Sequence, residues 1–372
     1  MKKIACTLLC FLLLIVPNTM SNILYLPQGF VIESLSGYGY NNSTLNSAIN
    51  VSNSNPALMY DCMHPSFGIS YQFDTKIQYT WPYDWDYYRK HSILPQSASI
   101  VIPLNHFRFG IGFSQKFNLV KDYGEATGTL VDKTAPLGYV DYVKFTLIHE
   151  NFLYDYSASI CYGINNILTK DDNLILGMHL KYYYLYYKSY EKDVYFFNVE
   201  YAKDYVPYQY KDSTTKFGYT FGLRYDIRKL KVGISYDKGA KFNNDLDGFL
   251  PDKIYFGVLT DIIQPILLTG NFNYIFWNDH EKNVKDRLEY SGNILLTLTN
   301  NIIISSGFFI SDYQSDSTLD YYKRFQGIYL TFGTILSFGI FDIDMSIADS
   351  HWFSEDWCKQ TIAKIGIVAT LK

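Results

Sequence analysis

Six cations stand where alternation along the chain would turn them toward an enclosed interior: Arg108, Lys116, Lys181, Arg224, Lys231 and Lys364. A cation inside an otherwise apolar vessel suits one kind of chemistry, the capture of a carboxylate, because an unpaired buried charge is costly on either side. Lys181 is the foremost candidate, since it falls near the middle of its segment with His179 on the same face. Arg108 and Arg224 fall near segment ends instead, close to where a plug of the lumen would sit, and the plainer reading of any one of these cations is a pairing with an acid of the plug or the wall. The usual reactive constellations are absent. The seven His residues show neither H-x-x-x-H nor H-E-x-x-H spacing. "NNDLDG" at 243–248 begins like a calcium loop, but Ile254 stands where the bidentate Glu belongs. Cys62, Cys161 and Cys358 match no disulfide framework and no metal spacing; a single pair could form if the fold brings two together, but they read first as inert thiols. The chain therefore reads as a binding protein rather than an enzyme, with no cofactor and no metal.

Those cations need elements to position them, and the elements announce themselves after the first twenty residues. Lys2 and Lys3, an apolar run from Ile4 to Val16 and the small-residue end Thr19-Met20-Ser21 predict an export signal over 1–21. No later apolar run approaches the ~18 residues of a spanning helix. Aromatic residues make up 18% of the chain and 36 of them are Tyr, far above ordinary usage. The net charge of −4 argues against nucleic acid as a partner.

From Ser66 the chain alternates with period two. "SFGISYQFD" sets Phe67, Ile69, Tyr71 and Phe73 against Gly68, Ser70, Gln72 and Asp74, and "KFGYTFGLRYD" repeats the device from Phe217 to Tyr225. No charge interrupts the apolar face, as a lipid-facing surface requires: a midplane Arg or Lys costs about 2–4 kcal/mol. A secreted sandwich would share the apolar face but not the Gly, Ser and Thr of the other. About fourteen such segments follow one another, joined alternately by short turns ("NH" near 105, "RK" at 228, "NN" at 300) and long loops (118–149, 190–214). This is the pattern of an all-β transmembrane antiparallel barrel in a bacterial outer membrane, with both termini periplasmic. A barrel of that width cannot fill its lumen with wall side chains. The polar residues 22–65 precede the first strand and form an N-terminal hatch inside the lumen, leaving 66–372 as the barrel.

Within that hatch, Asn55-Pro56-Ala57 and the Gly-bearing "SLSGYGY" resemble the hatch of the FadL/TodX-type transporters of hydrophobic compounds. The hairpin "LPDKIYFGVLTDIIQPILLTGNFNYIFWND" and the tail "FQGIYLTFGTILSFGIFDIDMSIADS" are similar to the same family. The resemblance implies a monomer passing long-chain fatty acids or other hydrophobic small molecules passively, by lumen binding and lateral release through a wall opening at a kinked third strand. Its partners would be outer-membrane lipid, the hydrophobic ligand and the barrel-assembly machinery. Two departures stand out: the chain ends in Leu371-Lys372 rather than an aromatic residue, and the loop at 239–252 is short.

Further candidates follow. Gly110 and Gly112 in the third strand could kink the wall. Phe196, Phe197, Val199 and Val206, with Phe249 and Leu250 opposite, could form an entrance for greasy molecules or pack on one another. Asn55 is read both as a cap for a short helix with Pro56 at its first position and as part of a gate. Two alternative functions are a component of protein secretion or surface attachment, which shares the Asn-Pro-Ala hatch, and a general diffusion porin, against which the plug argues.

Overall fold

The computed structural model describes residues 55–74, 77–79, 85–89, 93–131, 140–198, 201–204, 209–242, 249–263, 265–276, 286–312, 327–352 and 361–371. Residues 1–54, expected from the sequence to be an export signal and the first part of a hatch, lie outside the described residues, as do Val199, Val206, Cys358 and the 243–248 segment.

Fourteen strands build the wall. They are β1 (Ser66–Asp74), β2 (Ser97–Leu104), β3 (Phe107–Val131), β4 (Val140–Asn165), β5 (Asp172–Asn198), β6 (Gln209–Ile227) and β7 (Leu230–Lys238). Then come β8 (Asp252–Ile263), β9 (Ile266–Phe276), β10 (Arg287–Thr299), β11 (Ile302–Asp312), β12 (Gly327–Phe338), β13 (Phe341–Asp349) and β14 (Thr361–Thr370). Each pairs antiparallel with the next, and β1 pairs with β14 from Ser66↔Thr370 to Asp74↔Ile362, which closes the barrel. Closure leaves no open edge, so every ladder hydrogen bond finds a partner without water.

The short turns all fall at one end. Several place a residue in left-handed space, at Asn105 (φ 53°), Asn166 (φ 60°), Arg228 (φ 49°) and Gly339 (φ 63°), as tight hairpin connections demand. Along each strand the outward residues are large and apolar, for example Ile100, Ile111, Phe221, Ile234, Phe272, Phe308, Phe332 and Ile367. The inward ones are polar and buried: Ser70, Gln72, Asn271, Asn273, Asn293 and Thr331. A sandwich buries its apolar face, whereas this chain exposes it all round. That inverted arrangement is stable only where lipid covers the outside. No described helix is long and apolar enough to cross a membrane, so the strands do the crossing.

Two boundaries differ from expectation. Residues 118–149 and 190–214, read as loops, are largely strand: β3 runs on to Val131, β4 begins at Val140, β5 continues to Asn198 and β6 starts at Gln209. Beyond the bilayer both faces of a hairpin meet water, so alternation fades while the backbone ladder continues. The first strand, expected over 66–80, stops at Asp74. A separate pair, Ile77–Tyr79 with Trp85–Arg89, docks on β3 at Leu119–Asp122.

Phe308 is 42% exposed on the outer face of β11. Phe308→Arg is expected to destabilise the barrel by about 2–4 kcal/mol in urea unfolding from lipid vesicles, whereas Ile310→Phe, on that same face, changes it little.

Candidate functional site

The described part of the hatch centres on two turns of 3-10 helix, Pro56–Asp61, wedged against β3 to β6 near the short-turn end. Asn55 works in two directions. Its Oδ1 accepts from the Ala57 N–H at 2.9 Å, which caps the helix, and Pro56 at the next position has no N–H to leave unpaired. Its Nδ2 donates to the carbonyls of Leu223 on β6 (3.1 Å) and Ile234 on β7 (3.2 Å). One side chain therefore starts the helix and fastens it to two wall strands. Asn55 is thus the cap expected from sequence and, in addition, a tether to the wall.

The wall makes room for this turn by omitting side chains. A Cβ on Gly222 would lie 1.9 Å from Asn55 Oδ1, one on Gly177 would lie 2.5 Å from the Ala57 backbone nitrogen, and one on Gly163 would lie 2.2 Å from the Tyr60 ring. Gly177 and Gly222 are direct cross-strand partners. Three glycines on three consecutive strands thus form a cradle that admits the Tyr60 ring, the Pro56–Ala57 backbone and the Asn55 side chain. Around it, Ala57 and Met59 pack with Val101, Cys161, Ile175 and Val368.

Charge secures the far end of the helix. Arg224 grips Asp61 with both guanidinium nitrogens, Nη1 to Oδ2 at 2.8 Å and Nη2 to Oδ1 at 2.6 Å, and it also donates to Asp226 at 2.8 Å. Lys231 adds a longer contact to Asp61 at 3.6 Å. Arg108 donates to the carbonyls of Asn105 and Phe107, sits 4.8 Å over the Tyr60 ring and reaches Met63 Sδ at 3.4 Å. Arg108 and Arg224, chosen from sequence as carboxylate partners, are thus engaged in holding the hatch. The carboxylate that Arg224 holds is Asp61, which belongs to the chain itself.

Lys181 and His179 do face the lumen together, and both are buried. Lys181 Nζ lies 2.8 Å from Asp237 Oδ1, which also accepts from Thr220 Oγ1 at 2.7 Å. His179 Nδ1 lies 2.6 Å from Ser159 Oγ. Lys116 pairs with Asp155 at 3.7 Å, and both Lys116 and Lys253 lie within electrostatic reach of Asp237. Any incoming carboxylate meets lysines that already have anionic neighbours, and it must compete with them. Lys364, also buried, lies opposite Gln72 and Ser346.

The remaining choices are scattered. The ladder passes without register shift through Gly110 (opposite Val101 and Ser159) and Gly112 (opposite Ser99 and Ser157). The β3–β4 ladder shifts register at two places, between Gln115 and Phe117 and between Asp122 and Glu125, and the first is the one nearest these glycines. There β2 has ended at Ser97, β1 pairs with it only over Ser66–Ser70, and Gln96 bridges the strands through Ser70 O and Gln115. Phe196 and Phe197 lie in the outer stretch of β5, opposite Val143 and Tyr142. Phe249 and Leu250 pair with Lys241 and Ala240, with Leu250 buried. Among the described residues no ladder joins these two pairs.

The glycine cradle, Tyr60 and Asp61 escaped the sequence reading. Their trace was present as glycine at inward positions of three successive strands, Gly163, Gly177 and Gly222.

No family model matches the chain, and no curated protein matches it. Solved structures do. The CymD monoaromatic hydrocarbon channel superposes with a TM-score of 0.56 at 12% identity, covering 91% of this chain and 97% of that one. The Pseudomonas putida toluene transporter TodX gives 0.55 at 11%, with coverages of 90% and 97%. The fold is that of the FadL/TodX-type channels. A Pseudomonas aeruginosa FadL homologue likewise gives 0.57 at 10%, covering 92% of this chain and all of that one. At such identities the likeness is one of architecture: a fourteen-stranded barrel resembling outer-membrane channels.

Two outcomes follow for the docked turn. Gly222→Val places carbon where Asn55 Oδ1 now sits, so the turn is expected to lift and chymotrypsin to cut after Tyr60 at least tenfold faster, while the barrel still migrates as folded on an unheated gel. The second concerns pH. Burial opposes ionisation of Asp61, but the charge and hydrogen bonds of Arg224, followed by Lys231, outweigh it and hold the carboxyl below its usual value. A carboxyl lowered by folding contributes stability that is complete above its unfolded value, about 3.9, and is lost as pH falls through the folded one. The Met59 methyl resonance is therefore expected to stay at its docked position from neutral pH down to about 4 and to shift only below it, whereas Asp61→Asn shifts it at every pH.

Proposed function

We propose that this chain is a passive outer-membrane channel for hydrophobic small molecules, of which long-chain fatty acids are the first to test. The observation that carries the reading is the docked Asn-Pro-Ala turn. A short hatch helix is held by the Asn55 tether, the pairing of Asp61 with Arg224 and Lys231, and a glycine cradle with its small apolar cluster, in a barrel whose architecture is shared with hydrocarbon channels. Such a plug is fixed by few enough contacts to shift, and it separates the lumen from the short-turn end, which we assign to the periplasm.

A fatty acid brings about 0.8 kcal/mol for each methylene removed from water, so capture needs no energy source. Its carboxylate would exchange with Asp237 at Lys181, with Lys116 and Lys253 beside it. Lateral release is placed by this reading at the bulge of β3, where β2 stops and the wall between β1 and β3 rests on Gln96 and Gln115 rather than on continuous ladder.

The test is equilibrium binding of a labelled long-chain fatty acid to the barrel refolded in detergent. Saturable binding is expected. The paired substitution Lys181→Ala with Asp237→Asn, which leaves no uncompensated aspartate, is expected to weaken it about tenfold, or ~1.4 kcal/mol. Absence of saturable binding to a folded barrel contradicts the transport reading, and binding unchanged by the pair moves the carboxylate elsewhere.

A further inference from the structure

Cys62 and Cys161 are separated by almost a hundred positions in sequence, yet the hatch brings them to one place. Cys161 is buried on the inner face of β4, in a cluster that includes Ala57 and Met59 of the hatch helix. Across the ladder it faces Arg108, whose guanidinium lies over Tyr60 and against Met63. On its other side it faces Gly177, whose missing Cβ admits the Pro56–Ala57 backbone. Two residues further along the same face, Gly163 admits the Tyr60 ring. Cys62 lies between Tyr60 and Met63, ends the hatch helix with its N–H on Met59 O at 3.0 Å, and packs against the cluster that contains Cys161. It also lies within electrostatic reach of the Cys161 thiol. In the structure both are reduced.

We infer that Cys62 and Cys161 form a redox latch, a thiol pair whose oxidation to a disulfide fastens the hatch covalently to the wall. The half-exposed thiol of Cys62 attacks an external disulfide, and one half of that oxidant leaves as a thiol. The Cys161 thiol then attacks the mixed disulfide at the Cys62 sulfur and expels the second half. Two S–H bonds break and one S–S bond forms, and the two electrons and two protons end on the oxidant as two thiols. An exported barrel meets such oxidants. The latch adds a covalent hold to a helix otherwise kept by Asn55, Asp61 and packing. Reduction returns the hatch to those reversible contacts.

The test uses the full chain folded in lipid vesicles and oxidised glutathione as the disulfide probe. After alkylation, the protein is denatured, digested without reductant and mapped by mass spectrometry. The expected result is a linked peptide pair carrying Cys62 and Cys161, with loss of two of the three thiols downstream of residue 21 and their return on treatment with dithiothreitol. Cys358→Ser is expected to keep the link and Cys62→Ser to abolish it, each in a barrel that still migrates as folded. Absence of the linked pair after oxidation, in a barrel that still migrates as folded, overturns the inference, as does a link from either one to Cys358. The readout is chemical and involves no transported solute, so it stands apart from the outcome of fatty-acid binding.

Discussion

A strand that crosses lipid must give every backbone N–H and C=O a partner in a neighbouring strand, and only a closed sheet satisfies that at both edges. Closure fixes much else here. Fourteen strands enclose a lumen wider than their own side chains can fill, which either stays an open pore or is occupied by another part of the chain. Alternation then assigns each residue its solvent. Phe272 meets lipid while Asn271 and Asn273 meet the interior, and one position of slippage would exchange them.

The hatch answers the problem of the lumen with economy. A helix of six residues offers little surface, so it cannot be held by area alone. It is held instead where the wall gives up side chains, at Gly163, Gly177 and Gly222, and lets the Asn55 amide reach the wall carbonyls themselves. Backbone carbonyls cannot be mutated away, and glycines placed opposite one another on adjacent strands cannot be replaced singly without a clash. The Arg224–Asp61 grip is different in kind, because it depends on charge. The docking site thus combines a fixed shape with a titratable clasp at the short-turn end.

The wall was largely legible because period-two alternation is a local property. Phe67 to Phe73, or Phe217 to Tyr225, declare their faces without reference to any other strand. The signal failed where its physical cause ended: outside the bilayer, β3 to β6 continue without a lipid face to pattern them. The site was half legible. Lys181 and His179 were placed on the inner face correctly by parity, but the partner of Lys181 is Asp237 on a strand two hairpin turns away, and register alone brings them together. Arg224 pointed inward as expected, yet its carboxylate turned out to be Asp61, 163 positions earlier. Local pattern tells which way a side chain points, and only closure of the barrel tells what it meets.

The central claim is that the Asn-Pro-Ala turn is docked in the embedded protein. Hydrogen exchange of the full chain in lipid vesicles, read at the amides of Ala57, Leu58 and Cys62, tests it most directly, because each donates within the turn, to Asn55 Oδ1, Asn55 O and Met59 O respectively. The account predicts slow exchange at all three, of the same order as that of wall amides on β5 and β6. Exchange at the rate of an unstructured peptide, with the wall still protected, would contradict it.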